Sequence, residues 1–259
     1  MPAHFGPRQL EPGASGWYHD VTAMTIPFVT DHQLLAAHLP APFEVGAEPI
    51  VTVFYARNSN VDWLAGHGYN MIGVTASAVY DGPTERLSGT FTLVIWENLT
   101  DPILSGRELQ GIPKIFADIP DHTIDDGGSW QAGAAHFGHQ IVDLSITGLR
   151  PPTATEIEAA QAARAANDNP MGWRYFPGVS GIGTSVSEPT TFPSENVFTD
   201  AQVGVGSVDW HRLTWEQNPT QYRIVNALAD LPILEYRPAL ITTGSTNLFI
   251  PSRIPRTLG

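Results

Sequence analysis

Gly106-Arg107-Glu108-Leu109-Gln110-Gly111-Ile112-Pro113-Lys114 holds the end of a helix, its stop and the start of a strand. Upstream, Asp101 can cap and Pro102 suits the first helical position, so a helix is predicted from Ile103 to Gln110. Gly111 fits the left-handed position just past a helix end, and Pro113 forbids continuation. Lys114 follows that exit directly. It opens Lys114-Ile115-Phe116-Ala117-Asp118-Ile119, which reads as a strand entering the core.

Outward from this stretch, extended runs dominate. Pro49 to Ala56, Tyr69 to Tyr80 and Ser88 to Trp96 are rich in β-branched and aromatic residues, and Asp81-Gly82-Pro83 between the last two is turn chemistry. A short helix capped by Asp31 stops at Pro40. Trp130 to Phe137 and Gln140 to Thr147 form a predicted hairpin. Thr153 and Glu156 have capping-box spacing and open an Ala-rich helix to about Ala166, ended by Asn169-Pro170. Val197 to Trp210 reads as extended, Asn218-Pro219 as the start of a helix to about Asp230, and Leu231 to Thr242 as a returning strand. Strands with interspersed helices, and no repeat or linker, give an α+β class in one domain over residues 1–259, with the first 16 an irregular arm.

Composition narrows the function. The 259 residues are 42% hydrophobic and 15% charged, with 24 Gly and 22 Pro, a profile suited to many turns between short strands. A net charge of −13 disfavours nucleic acid and anionic membrane surfaces. With no cysteine, disulfides, thiol nucleophiles and Cys-ligated metals are excluded. Neither a signal-peptide core nor an apolar run of about 20 residues is present, so a soluble cytoplasmic protein is expected. The 13 basic residues include a single lysine, Lys114.

That lysine has Ile112, Pro113, Ile115 and Phe116 as neighbours. Desolvation disfavours the charged form of an amine, and a neutral amine is what attack on a ketone requires. A strand-end lysine reaching solvent or Asp118 is the plainer reading of the spacing. Gln110 could share a pocket with Lys114 if the chain folds back, or be an exposed last-turn glutamine. His136 and His139 straddle a turn without a third ligand, and the acidic loop from Asp118 to Asp126 lacks EF-hand spacing, so no metal is expected. The glycines at 178, 181, 183, 204 and 206 match no phosphate loop, and no nucleophile elbow is present.

The opening stretch resembles the segment carrying the Schiff-base lysine in acetoacetate decarboxylases. There the pattern is Gly-Arg-Glu-Leu, three variable residues, then Pro-Lys. That family is a standard case of an amine activated by a neighbouring cation. Similarity extends in order along the chain, through the helix ending at Asn169-Pro170-Met171 and through Ala229-Asp230-Leu231-Pro232-Ile233. The resemblance implies an acetoacetate decarboxylase-like β-barrel of antiparallel sheets with flanking helices, an enclosed apolar pocket, a homo-oligomer, and no cofactor beyond the lysine. It also marks departures. The family's second lysine is replaced by Ile115, its first-strand arginine by Val21 or a neighbour, and its pocket glutamates by Phe54 or Tyr55 and by Met71 or Ile72.

What the resemblance implies for function is a Schiff-base lyase acting on a small-molecule carbonyl compound. Aldolase-dehydratase chemistry on a 2-oxo acid or other ketone leads. Decarboxylation of a β-keto acid and a non-covalent ligand-binding or cyclase barrel are the alternatives. Lys114 would be the nucleophile and Gln110 its orienting partner. Tyr69, Met71, Glu97 and Tyr236 are the candidate substrate contacts. Tyr69, Glu97 and Tyr236 are also candidate proton carriers, each equally readable as a core or sheet residue.

Overall fold

Runs in which large apolar residues alternate with small or polar ones become strands, because successive side chains in a strand point to opposite faces. The computed structural model describes residues 15–166, 168–249 and 252–259. Most of the predicted N-terminal arm lies outside these. The first half of the chain holds β1 (Trp17–Val29), α1 (His32–Ala36), β2 (Phe43–Val45), β3 (Ile50–Val61), β4 (Tyr69–Asp81), β5 (Arg86–Glu97), α2 (Thr100–Ser105), β6 (Lys114–Phe116) and β7 (Thr123–Ile124). The second half holds β8 (Trp130–His136), β9 (His139–Arg150), α3 (Ala154–Ala166), β10 (Pro170–Pro177), β11 (Thr184–Thr191), β12 (Glu195–Trp210), α4 (Tyr222–Ala229), β13 (Glu235–Tyr236), β14 (Ala239–Asn247) and β15 (Arg256–Thr257).

The strands form one mixed sheet in the order β15-β11-β10-β5-β4-β3-β1-β14-β12-β9-β8-β7, with β6 added on β5. This sheet closes on itself. Five steps separate β5 from β12, which on a flat sheet at about 4.8 Å per step would place them roughly 24 Å apart. The rings of Trp96 in β5 and Trp210 in β12 are instead 6.2 Å apart. The closing stitch is the lysine segment. Lys114 to Phe116 pair in parallel with Ile95 to Glu97, and two residues later Asp118 exchanges hydrogen bonds with Ala135 of β8, at 2.7 and 2.9 Å. A hydrogen-bonded circuit therefore runs β5-β4-β3-β1-β14-β12-β9-β8 and back through this segment.

Inside the barrel lie Met24, Ile26, Val53, Tyr55, Ile72, Val74, Trp96, Ile141 and Ile146, all fully buried. The Trp96 indole donates to Gln221 at 2.8 Å, and the Gln221 amide donates to the Phe116 carbonyl at 2.9 Å, tying the closing strand to the turn before α4. A smaller cluster around Phe43, Tyr80, Phe91 and Met171 packs where β10 meets β5 outside the barrel.

Asp31 caps α1 and the Thr153–Glu156 box caps α3, as their spacing predicts. Elsewhere the boundaries differ. Asp101 is not a cap, since the helix starts at Thr100 with no side-chain cap. Its last turn, Gly106–Gln110, widens to a π-turn in which the amides of Gly111 and Ile112 both reach the Gly106 carbonyl. Helix α4 starts at Tyr222, after a turn in which Asn218 accepts from the Tyr222 amide. The predicted strand from Leu231 to Thr242 is split around Pro238, which has no amide to donate to a ladder. Strands β10 and β11 carry Pro170, Gly172, Pro177 and Pro189, which obscure their alternation in sequence.

At the C-terminus, Glu85 in the β4–β5 turn accepts both Arg256 guanidinium nitrogens, at 2.6 and 2.5 Å, and the Gly259 amide at 3.0 Å. The Arg256 hydrogen bonds lower its carboxyl to about 2, against about 4.3 in an unfolded chain. A depressed carboxyl stabilises the fold above the unfolded value and loses that contribution as pH falls. Screening by solvent limits the pair to about 0.5–1 kcal/mol. Glu85→Gln should cost that amount at pH 7 in denaturant titrations, and the difference from the parent should vanish between about pH 5 and pH 2.

Candidate active site

The face of the sheet turned away from the barrel core carries most of the candidate residues, and strand register decides what stands on it. Directly opposed residues share a face. One row runs Thr25, Phe54, Gly73, Ile95, Lys114 across β1, β3, β4, β5 and β6. The next row runs Thr242, Ala23, Ala56, Met71, Glu97, and a third runs Gly244, Val21, Asn58, Tyr69. Gly73 is required in the first row, because a Cβ there would lie 2.3 Å from the Phe54 ring. A bulge in β5, which pairs Val74 with Val94 but Thr75 with Thr92, brings Thr92 onto the same face as Ile95.

These rows floor a cavity of about 280 Å³. Its walls include Tyr18, Ile112, Phe192, Phe198 and Leu248. Lys114 is 6% exposed. Its Nζ lies 2.7 Å from Glu97 Oε1 and donates to the Pro102 carbonyl at 3.2 Å. Glu97 is wholly buried, and neither of its oxygens accepts a well-aligned hydrogen bond despite the short approach of the amine. Burial raises the Glu97 carboxyl above the ordinary range, and the amine beside it only partly offsets the rise. A buried carboxylic acid next to a buried amine can pass a proton between them without stranding a charge.

The conversion of the helix end into a π-turn serves the same amine. At Gly106 a Cβ would meet Lys114 Cδ and Cε at 2.6 Å and Nζ at 2.9 Å, so the lysine stem crosses the one position of that turn without a side chain. The Arg107 guanidinium donates to the Lys114 carbonyl at 3.1 Å, holding the backbone from which the stem starts. Gly111 takes φ +74°, and its Cα lies so close to Arg174 and Thr190 that an added Cβ would meet both at 2.7 Å.

Two phenols complete the polar end. Tyr69 donates to the Tyr18 hydroxyl at 3.3 Å, and the Trp63 indole donates to it at 3.1 Å. Burial raises both phenols above their ordinary value, so each stays neutral and keeps its proton to donate.

The structure thus gathers Lys114, Glu97, Tyr69 and Met71 in one place. Gln110 and Tyr236 lie elsewhere. Gln110 is half-buried, its carbonyl accepts from Thr190, and it is not among the residues lining the cavity. The Tyr236 hydroxyl accepts from the Val208 amide and its ring packs on Phe28, on the barrel side. Val21, Phe54 and Met71 line the cavity, whereas Tyr55 and Ile72 point into the core. Sequence reading passed over Tyr18, Asn58 and Gly106. The two lining side chains were findable only from the alternation of β1 and β3, and Gly106 only from the passage of the lysine over it.

A larger groove of about 480 Å³ lies over β8 and β9 and is lined by Asp118, Asp121, Asp143 and Asp209. No amine, imidazole or guanidinium lines it, whereas Lys114 lines the smaller cavity. Among the described residues no cluster of His, Cys, Asp or Glu could hold a metal ion, and no helix is long and apolar enough to cross a membrane.

A family model described as acetoacetate decarboxylase (ADC) matches residues 1–243. The acetoacetate decarboxylase of Ralstonia nicotianae is 27% identical over 221 residues, covering 81% of this chain and 76% of that protein. The crystal structure of an acetoacetate decarboxylase from Legionella pneumophila superposes with a TM-score of 0.73 at 20% identity, covering 100% of this chain and 92% of that one. The enduracididine biosynthesis enzyme MppR in complex with pyruvate superposes with a TM-score of 0.69 at 14% identity, covering 100% of this chain and 96% of that one.

Filling the space under the lysine should separate reactivity from folding. Gly106→Ala gains helix propensity of about 1 kcal/mol and displaces only the flexible end of Lys114. Its melting temperature should stay close to the parent's. The rate of amine modification by a carbonyl reagent followed by borohydride should fall about a hundredfold, as expected for a nucleophile moved by about an ångström.

Proposed function

The chain belongs to the acetoacetate decarboxylase family, and on that premise we propose that it is a lyase in which Lys114 forms a Schiff base with a ketone substrate. The observation that carries this reading is the lone lysine, buried beside a buried carboxyl on the floor of a largely apolar cavity.

The reaction begins when the Lys114 ammonium gives a proton to Glu97. The free amine adds its electron pair to the ketone carbon, and a proton moves from nitrogen to the former carbonyl oxygen. Glu97 then protonates that hydroxyl, which leaves as water and produces an iminium. The Glu97 carboxylate next removes a proton from the α-carbon, and the released C–H electron pair forms the enamine. Attack of the enamine on an aldehyde makes a carbon–carbon bond, and the resulting alkoxide takes its proton back from Glu97. Glu97 then removes the remaining α-proton and passes it to the new hydroxyl, which leaves as water as the enamine electron pair forms the carbon–carbon double bond. Water adds to the iminium carbon, and collapse of the carbinolamine releases the unsaturated ketone and the Lys114 amine. Tyr18, which accepts from Tyr69 and Trp63, presents its neutral O–H to an oxygen of the substrate. Pyruvate bound in the MppR relative supports a small carbonyl compound as the partner of such a site.

A second reading, loss of carbon dioxide from a β-keto acid through the same iminium, is favoured by the named activity of the Ralstonia nicotianae relative. Carbon dioxide release from a panel of 3-oxo acids distinguishes the two.

Borohydride trapping with acetylacetone, acetoacetate and pyruvate, read by intact mass and peptide mapping, tests the Schiff base. An adduct on Lys114 is expected, and Lys114→Met should abolish it. A ligand-binding or cyclase barrel without covalent chemistry would instead keep its affinity in that variant. Glu97→Gln should slow trapping by about 10²–10⁴-fold, the usual weight of a positioned acid–base group. Dehydration needs the protonated acid, whose value is raised, so the parent rate should fall as pH rises through that raised value. The Gln variant should lose this limb.

A further inference from the structure

We propose, resting on the Schiff-base reading above, that the substrate is an uncharged ketone carrying a second acceptor oxygen, and that Asn58 receives that oxygen. Two independent features of the cavity carry this.

The first is charge. Of the residues lining the cavity, Lys114 is the only one with an ionisable acid or base of charged type; the others are aliphatic, aromatic, hydroxyl or amide side chains. A substrate carboxylate would have to leave water for a space whose single positive charge, on Lys114 and then on the iminium, is already paired with Glu97. Burying an anion without a dedicated partner is strongly unfavourable. Arg107 and Arg164 touch lining residues without lining the cavity themselves. Arg107 is engaged by the Lys114 carbonyl, and Arg164 lies over the Phe198 ring at 5.2 Å from an exposed position.

The second feature is an unpaired donor. Asn58 is 4% exposed and lines the cavity, and its Nδ2 has no hydrogen-bond partner among the described residues. Buried amide donors are rarely left in that state, and a ligand oxygen satisfies the group. Asn58 stands between Val21 and Tyr69 in its row, two strands and one row from Glu97. On an ideal sheet that offset is on the order of 12 Å between backbones. The acceptor must therefore sit several bonds from the ketone carbon, beyond the reach of acetoacetate. Thr92, Ser194, Asn196 and Thr243 continue a neutral polar wall for the remainder of such a molecule.

The test compares three ketones of matched length in borohydride trapping at Lys114: methyl 5-oxohexanoate, its free acid, and 2-heptanone. The ester should half-saturate at a concentration about tenfold below the acid, and about three- to tenfold below 2-heptanone, the range of one neutral hydrogen bond. Asn58→Leu should erase the advantage of the ester over 2-heptanone, read as the ratio of the two half-saturation concentrations within the variant. The proposal is overturned if the acid traps as well as the ester, or if the ester gains nothing over 2-heptanone, both of which the unsubstituted protein alone can show. Trapping of none of the three would overturn the Schiff-base reading itself, and this proposal with it.

Discussion

Removing an ammonium and a carboxylate from water costs several kcal/mol for each ion, and a protein keeps such a pair only where geometry offsets that cost. At Lys114 and Glu97 the offset is incomplete. The two groups lie 2.7 Å apart, and the amine has one carbonyl as a further partner, but the carboxyl oxygens lack aligned donors. Burial pushes Glu97 towards its protonated form, and a neutral amine is the reactive one.

Holding that balance falls to the backbone. Lys114 begins the short parallel strand that links β5 to β8, so the proposed nucleophile belongs to the segment that closes the barrel. The π-turn before it carries glycine where the lysine stem crosses, and the Gln221 amide ties the strand's far end to Trp96 in the core. Movement of the Lys114 backbone would require opening the circuit of strands. A single reactive group can thus be kept in place without a neighbouring cation, where the family pattern has a second lysine and this chain has Ile115.

The sheet separates stability from chemistry by face. On β3, Val53 and Tyr55 fill the barrel while Phe54, Ala56 and Asn58 face the cavity; on β4, Ile72 and Val74 contrast with Met71 and Thr75 in the same way. Because the side-chain period is two, a slip of one residue would exchange these sets. Apolar Val21, Phe54 and Met71 at the cavity positions make a space that excludes charge, and the polar contacts are left to hydroxyls and amides.

The helix stop at Gly111-Ile112-Pro113, the strand after it and the solitary lysine could be read from the sequence, because they rest on local rules: a left-handed glycine, a proline without an amide, and β-branched periodicity. The capped helices at Asp31 and Thr153 were legible for the same reason. The partners of the lysine were not. Glu97 lies 17 positions from Lys114, and Tyr18 and Asn58 lie farther still. Gln110, the nearest polar candidate in sequence, is absent from the cavity lining because the π-turn leaves it half-buried beside Thr190. Which side chains meet across β1, β3, β4, β5 and β6 is set by register, and register comes from long-range pairing that satisfies the buried faces of all the strands together. Local sequence thus determined the lysine and its strand, and only the closed sheet decided the carboxyl beside it, the donors around it and the cavity before it.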